Sequence, residues 1–270
     1  MESLVLDANQ VVKKLEEFIK KTISDAGVNH AIVGLSGGID SSLACYLSVG
    51  ALGAENVFGV RMPYKTSSQE SLNHAQLVID ALGIHSETIP ITEIADPLII
   101  RFPDMSAVRK GNIMARSRMI VLYDRSAAFK GLVMGTGNKT EELLGYTTLF
   151  GDSACALNPL GDLYKTQVRQ LAKFVGVPKV IISKPPTADL WMGQTDEGEL
   201  GFTYAEVDQL LFYLVDGHHT PQDCLDAGFA ESFVQTVVKI IQRTRFKRTL
   251  PPIAYLDGNY DFVNDAEWAR

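Results

Sequence analysis

The sequence predicts an α/β fold: a doubly wound, mostly parallel sheet with helices on both faces and a helical C-terminal subregion, in one domain spanning residues 1–270. Three observations predict it. Short apolar runs alternate with helix-length patterns, as in successive βαβ units. Runs separated by helices of that length indicate a parallel sheet covered on both faces. After about residue 204 the strand-like runs stop and helical periodicity takes over, in "YAEVDQLLFYLV" (204–215) and "ESFVQTVVKIIQRT" (231–244).

In chain order, the N-terminal stretch places Val12, Leu15, Ile19 and Ile23 on one helical face, with Glu16/Lys20 and Glu17/Lys21 spaced to pair along it. Strands are expected at 31–35, 56–63, 86–91, 131–136 and 179–186, with helices near 41–50, 69–83, 112–130 and 165–175. The apolar "VDQLLFYLV" serves equally as core or as interface, and the chain ends in a Pro-rich, acidic tail.

Composition narrows the function classes. No apolar run approaches the roughly 20 residues of a membrane helix, and the N-terminus has no signal-peptide layout. Cys45, Cys155 and Cys224 are odd in number and widely spaced, so neither a disulfide framework nor a zinc site is drawn from them, and a reducing cytoplasm is expected. With 25 basic and 32 acidic residues the net charge is −7, which argues against general nucleic-acid binding. The five basic residues of "KIIQRTRFKRTLPP" are too few for confident docking. An anionic ligand must therefore meet a local basic pocket.

One stretch is built for such a ligand. "AIVGLSGGIDSSLACYL" (31–47) leaves an apolar run through small and polar residues, where parallel sheets bind ligands. Gly37 and Gly38 let backbone N–H groups approach an anion; Ser36, Ser41 and Ser42 add hydroxyls. The helix beginning near Asp40 adds its positive end, and Asp40 is placed to hold Mg²⁺. The bland alternative is a strand-turn-helix capped by one of these residues. A cap needs one such residue, whereas S-G-G-x-D-S arises by chance in roughly one chain in several thousand.

"GLSGGIDSS" (34–42) resembles the loop of the N-type ATP pyrophosphatases, which cleave ATP between the α- and β-phosphates. In that family the loop wraps the leaving diphosphate, and no Walker lysine is needed. A second block, "GTGNKTEELLGYTTLFGDSACALNPLGDLYKTQVRQLA" (135–172), contains two decoys: Asn138 stands where a Walker A glycine belongs, and Thr140 replaces the last glycine of G-x-G-x-x-G. Glu141 reads evenly as a first-turn acid favoured by the helix dipole or as a second ligand for the metal at Asp40. The whole block is similar to NAD synthetases, as are "SKPPTADLWMGQTDEGELGFTYAEVD" (183–208) and "GNIMARSRM" (111–119).

The resemblance implies an adenine nucleotide alpha hydrolase-like fold. It implies ATP contacts at Gly34, Leu35, Ser36, Gly37, Gly38, Ile39, Asp40, Ser41, Thr136, Lys165 and Thr187, with Asp40 and Lys165 catalytic. Mg²⁺ would sit on Asp40 and Glu141, and deamido-NAD would meet Arg116 and Lys247. A mid-helix Arg116 is costly if buried without an anion, and otherwise a solvated charge. Lys165 at a helix start opposes the dipole, so a phosphate would compensate it. Thr187 follows a rigid "KPP" turn, where its bland role is an N-cap. Leu149, Ala156 and Phe246 depart from the family's usual Lys, Asp and His, so dinucleotide contacts are not transferred to them.

The implied reaction is amidation of deamido-NAD by ammonia through an adenylate, giving NAD, AMP and diphosphate in the last step of NAD biosynthesis. The synthetase blocks leave no room for a glutamine amidase, so free ammonia, or ammonia from a separate protein, is expected. The resemblance also implies a homodimer with sites near the subunit boundary. Two rivals are a related pyrophosphatase with another acceptor, such as xanthylate or tRNA, and an ATP-sensing module without turnover. Absence of CxxC and of a broad basic surface disfavours tRNA. The bare acids Asp40 and Glu141 disfavour the sensor, since they repel phosphate without a metal.

Overall fold

Three apolar strands and one polar edge strand pair into one parallel sheet in the computed structural model, which describes residues 4–187 and 195–254. Helix α1 (Ala8–Asp25) comes first, capped by Asp7 and buried through Val12, Ile19 and Ile23. On its exposed side Lys21 pairs with Asp25 instead of Glu17. Strand β1 (His30–Gly34) leads to α2 (Ile39–Leu52), and β2 (Val57–Arg61) to α3 (Gln69–Leu82). Then β3 (His85–Thr88) leads to α4 (Thr92–Arg101) and α5 (Ala107–Phe129). Last, β4 (Gly131–Met134) opens onto α6 (Lys139–Leu144), and a loop continues to α7 (Lys165–Val175) and α8 (Lys179–Ser183).

The strand order is β3-β2-β1-β4, with Ala31 paired to Val57 on one side and to Leu132 on the other. Successive strand side chains point to opposite faces, and both faces are covered. Ala31 and Val33 pack with α1, α2 and α7, while Ile32 joins Val60, Met114 and Val121 beneath α4 and α5. The chain leaves β1 toward β2 and returns as β4 on the other side. Strand order thus reverses at β1, and the crevice beyond its carboxyl end is where parallel sheets of this kind bind ligands.

Two expectations need correction. The run at 179–186 is not a strand: Lys179–Ser183 is helical, with Ile181 buried and Val180 half exposed. One buried residue per turn suits a surface helix, and Pro185 and Pro186 cannot donate to a ladder. The place beside β4 is held by residues 156–157: Ala156 donates to the Val133 carbonyl, and Gly135 donates to that of Leu157. Helix α4 was not foreseen, because Pro97 lies inside it; α5 starts earlier than expected, at a cap where Ser106 accepts from the Arg109 N–H.

The C-terminal subregion is helical as expected, with α9 (Asp196–Leu200), α10 (Tyr204–Leu211), α11 (Pro221–Asp226) and α12 (Glu231–Thr244). Val207, Leu210 and Leu211 form its core with Tyr164, Cys224 and Val237, so this part of "VDQLLFYLV" is core. The three cysteines are free thiols, and burial pushes that of Cys45 up to about 12. No described helix is long and apolar enough to cross a membrane.

Candidate active site

Beyond β1, Ser36 braces the glycine loop. Its hydroxyl accepts from the Gly38 N–H at 3.2 Å and lies 3.0 Å from the Ser41 hydroxyl. Ser41 and Ser42 both donate to the Gly38 carbonyl. Gly38 holds the N-cap position of α2, so Asp40 is its second helical residue and not its cap. Gly37 has φ +78°, and a Cβ there would meet the Ser71 carbonyl oxygen of α3 at 2.1 Å. Its small size is therefore needed for packing against α3.

A cavity of about 540 Å³ opens over this loop. Gly34, Leu35, Ser36, Gly38, Ile39, Asp40 and Ser41 line it, whereas Gly37 faces α3. Thr136, Glu141, Lys165, Thr187 and Lys247 line it as well.

At its floor Lys165 is buried between two carboxylates, with Nζ 2.6 Å from Asp40 Oδ2 and 2.8 Å from Glu141 Oε1. The charge at the start of α7 is thus compensated by protein acids. Asn138 donates to Asp40 Oδ1 at 2.9 Å and caps α6, where Glu141 Oε2 accepts from its N–H. The first-turn reading of Glu141 is met: one oxygen caps the helix, and the other pairs with Lys165. Burial raises the Glu141 carboxyl above its ordinary 4.5, against the pull of Lys165. The Walker decoy fails on geometry, because Lys139 turns away to Asp162 and Asp216.

The sequence reading missed the groups that hold this centre. Fully buried Asp208 of α10 accepts from the Thr140 hydroxyl at 2.6 Å and the Thr166 N–H at 2.7 Å, while Thr140 accepts from the Lys165 N–H at 2.9 Å. One carboxylate of the helical subregion therefore ties α6, which carries Glu141, to α7, which carries Lys165. Asp208→Ala is expected to strand two buried donors and lower stability by about 2 kcal/mol or more, read as a lower urea midpoint at unchanged m. Buried Asp196 lines the cavity nearby; it accepts from the Tyr204 hydroxyl, and burial raises its pKa. The N-K-T-E spacing of a capping box was the signal for Asn138. Nothing local marked Asp208, whose partners are distant in sequence.

The expected substrate cations sit differently. Arg116 is exposed, outside the cavity lining, and its guanidinium donates twice to the Leu149 carbonyl. Of the two readings of Arg116, the exposed helix charge is the one found, and Arg118 lines the cavity instead. Lys247 donates to the carbonyls of Gly145 and Thr147, and Arg248 to those of Glu142 and Leu143. These two basic residues fold inward onto the end of α6. Part of the third resemblance block, residues 188–194, lies outside the described residues.

Comparison with known proteins agrees with this geometry. The NAD synthase family model matches residues 11–251. An NH(3)-dependent NAD(+) synthetase of Trichlorobacter lovleyi is 50% identical over the whole of both chains. That of Chlorobaculum tepidum is 49% identical over 99% of this chain and 98% of its own. Among solved structures, an NH3-dependent NAD synthetase from Campylobacter jejuni in complex with the nitrate ion has a TM-score of 0.79 at 33% identity, covering 93% of this chain and 100% of that one. An NMN synthetase from Francisella tularensis has a TM-score of 0.82 at 31% identity, over 93% and 99%. The match runs through both the glycine loop and the helices that bear Glu141 and Lys165, and the chain belongs to the NAD synthase family.

Proposed function

We propose that this protein is a ligase that uses ATP and ammonia to amidate the nicotinate carboxylate of deamido-NAD, giving NAD, AMP and diphosphate. The observation that carries the reading is the convergence of Asp40, Glu141 and Lys165 beside the glycine loop inside one cavity. An ionised carboxylate is a poor electrophile for ammonia. In the proposed path one carboxylate oxygen attacks the α-phosphorus, the Pα–O–Pβ bond breaks, and diphosphate leaves. Ammonia then adds to the acyl carbon, AMP departs with the transferred oxygen, and a proton is lost. The loop N–H groups and Ser36 and Ser41 hydroxyls receive the diphosphate, Lys165 holds the charge developing there, and Thr136 and Thr187 position the nucleotide.

Mg²⁺ fits the donor set. Asp40 and Glu141 approach the same ammonium, so their oxygens can share one small cation, and no larger cluster of metal-ligating side chains occurs among the described residues. Two carboxylates plus substrate phosphates suit an ion that arrives with ATP. When bound, it neutralises charge on the phosphates. Lys247 and Arg116 are assigned to deamido-NAD. We assign a homodimer on the exposed apolar residues Ile94, Leu98, Ile120 and Tyr123 of α4 and α5, the helix that carries Arg116. A cytoplasmic location accords with three free thiols.

With deamido-NAD, ATP and ammonium, equimolar NAD, AMP and diphosphate are expected, and glutamine alone should support no turnover. Equal rates on pure glutamine would overturn the ammonia assignment. NMN is the amide of nicotinate mononucleotide, so the Francisella neighbour makes that mononucleotide the acceptor to run in parallel. Preference for it would change the acceptor and leave the ATP chemistry standing. Turnover dependent on xanthylate would favour the GMP-synthetase-like rival, and saturable ATP binding without diphosphate release would favour the sensor.

A further inference from the structure

We infer that Lys184 is a second phosphate-binding cation of this site, reaching the outer phosphates of ATP from the Gly37 flank of the loop. The inference deepens the function proposed above and rests on it. Lys184 lines the cavity with its side chain largely buried, and its Nζ donates to the Ser71 hydroxyl at 2.9 Å. Ser71 is also the residue whose carbonyl packs against Gly37. The ammonium is thus tied to the loop's first glycine through one residue, whereas Lys165 stands at the Asp40 flank. Pro185 and Pro186 follow directly and stiffen the backbone that carries it.

Charge counting shows why a second cation is needed. Lys165 faces Asp40 and Glu141 together, so these three groups sum to −1, and buried Asp196 adds a further acid beside them. A divalent ion on the same carboxylates brings the three to at most +1, against the several negative charges of diphosphate. Of the other cavity cations, Arg118 donates to the Met62 carbonyl, and Lys247 is held by two carbonyls at the far end of α6. Lys184 has a neutral hydroxyl as its close partner; among the described residues the nearest carboxylate, Glu70, is 3.7 Å away and largely solvated. Its charge therefore stays available to an anion.

The test compares wild type with Lys184→Gln and Lys184→Arg by steady-state kinetics, reading the inhibition constant of added diphosphate against ATP. Lys184→Gln keeps a donor for Ser71, so its thermal midpoint should hold. Its inhibition constant for diphosphate and its KM for ATP should rise roughly tenfold or more, as for loss of one charge-assisted hydrogen bond. KM for deamido-NAD should not move, and Lys184→Arg should recover most of the diphosphate affinity. An unchanged inhibition constant in Lys184→Gln, equal losses in both variants, or a rise confined to KM for deamido-NAD would overturn the inference. Failure of wild type to release diphosphate would instead remove the parent reading.

Discussion

Lys165→Met is expected to lose turnover by roughly a hundredfold or more and to destabilise the protein most at high pH. The side chain is 3% exposed and faces Asp40 and Glu141 together. Removing it leaves two buried carboxylates without their counter-ion, a change of about 3–5 kcal/mol where one partner of a buried pair is lost. The sign of the pH dependence follows from Glu141. Burial already raises its folded pKa above the ordinary 4.5, and Lys165 is the group that pulls it back. A carboxyl raised on folding favours the folded state fully below 4.5 and loses that contribution as pH rises through the folded value. Without Lys165 the folded value rises further. The gap in urea midpoint between variant and wild type should therefore widen from pH 5 to pH 8. A constant gap would contradict this electrostatic role.

Gly37→Ala is expected to be as damaging to catalysis, by a different route. At φ +78° an alanine costs about 1–2 kcal/mol from its left-handed backbone alone. The larger problem is the Ser71 carbonyl oxygen, 2.1 Å from the new methyl, because backbone in α3 cannot swing aside as a side chain would. Either the loop or α3 must shift, and a displacement of about 1 Å in a reacting site costs on the order of a hundredfold in rate. Gly83, at the other end of α3, is the control: its φ is +64°, but a Cβ there meets nothing within 4 Å. Gly83→Ala should cost stability and leave kcat/KM for ATP intact. If both variants keep wild-type kinetics, the loop is not the rigid cradle described here.

The contrast between these residues shows what a sequence makes legible. Strands β1, β2 and β4 and the loop after β1 are local features: a continuous apolar run, then small residues, then helical periodicity. Asp40 and Glu141 were readable because each lies in a short stretch with its own chemistry. The run at 179–186 misled because β-branched apolar residues suit a strand and a short surface helix alike, and only packing against α7 decides between them. Helix α4 was hidden by Pro97. Arg116 read as either a buried cation awaiting an anion or a solvated helix charge, because which face of α5 it occupies depends on tertiary packing. Asp208 was illegible for the same reason: its partners Thr140 and Thr166 lie 68 and 42 residues away.

The central claim is that a carboxylate oxygen of the acceptor attacks the α-phosphorus of ATP held over Asp40, Glu141 and Lys165. Deamido-NAD labelled with ¹⁸O in its nicotinate carboxylate, turned over with ATP and ammonium, tests it directly by mass spectrometry of the phosphate products. The account predicts one ¹⁸O in the phosphate of AMP and none in diphosphate. Label in orthophosphate with ADP as co-product, or AMP without label, would contradict it.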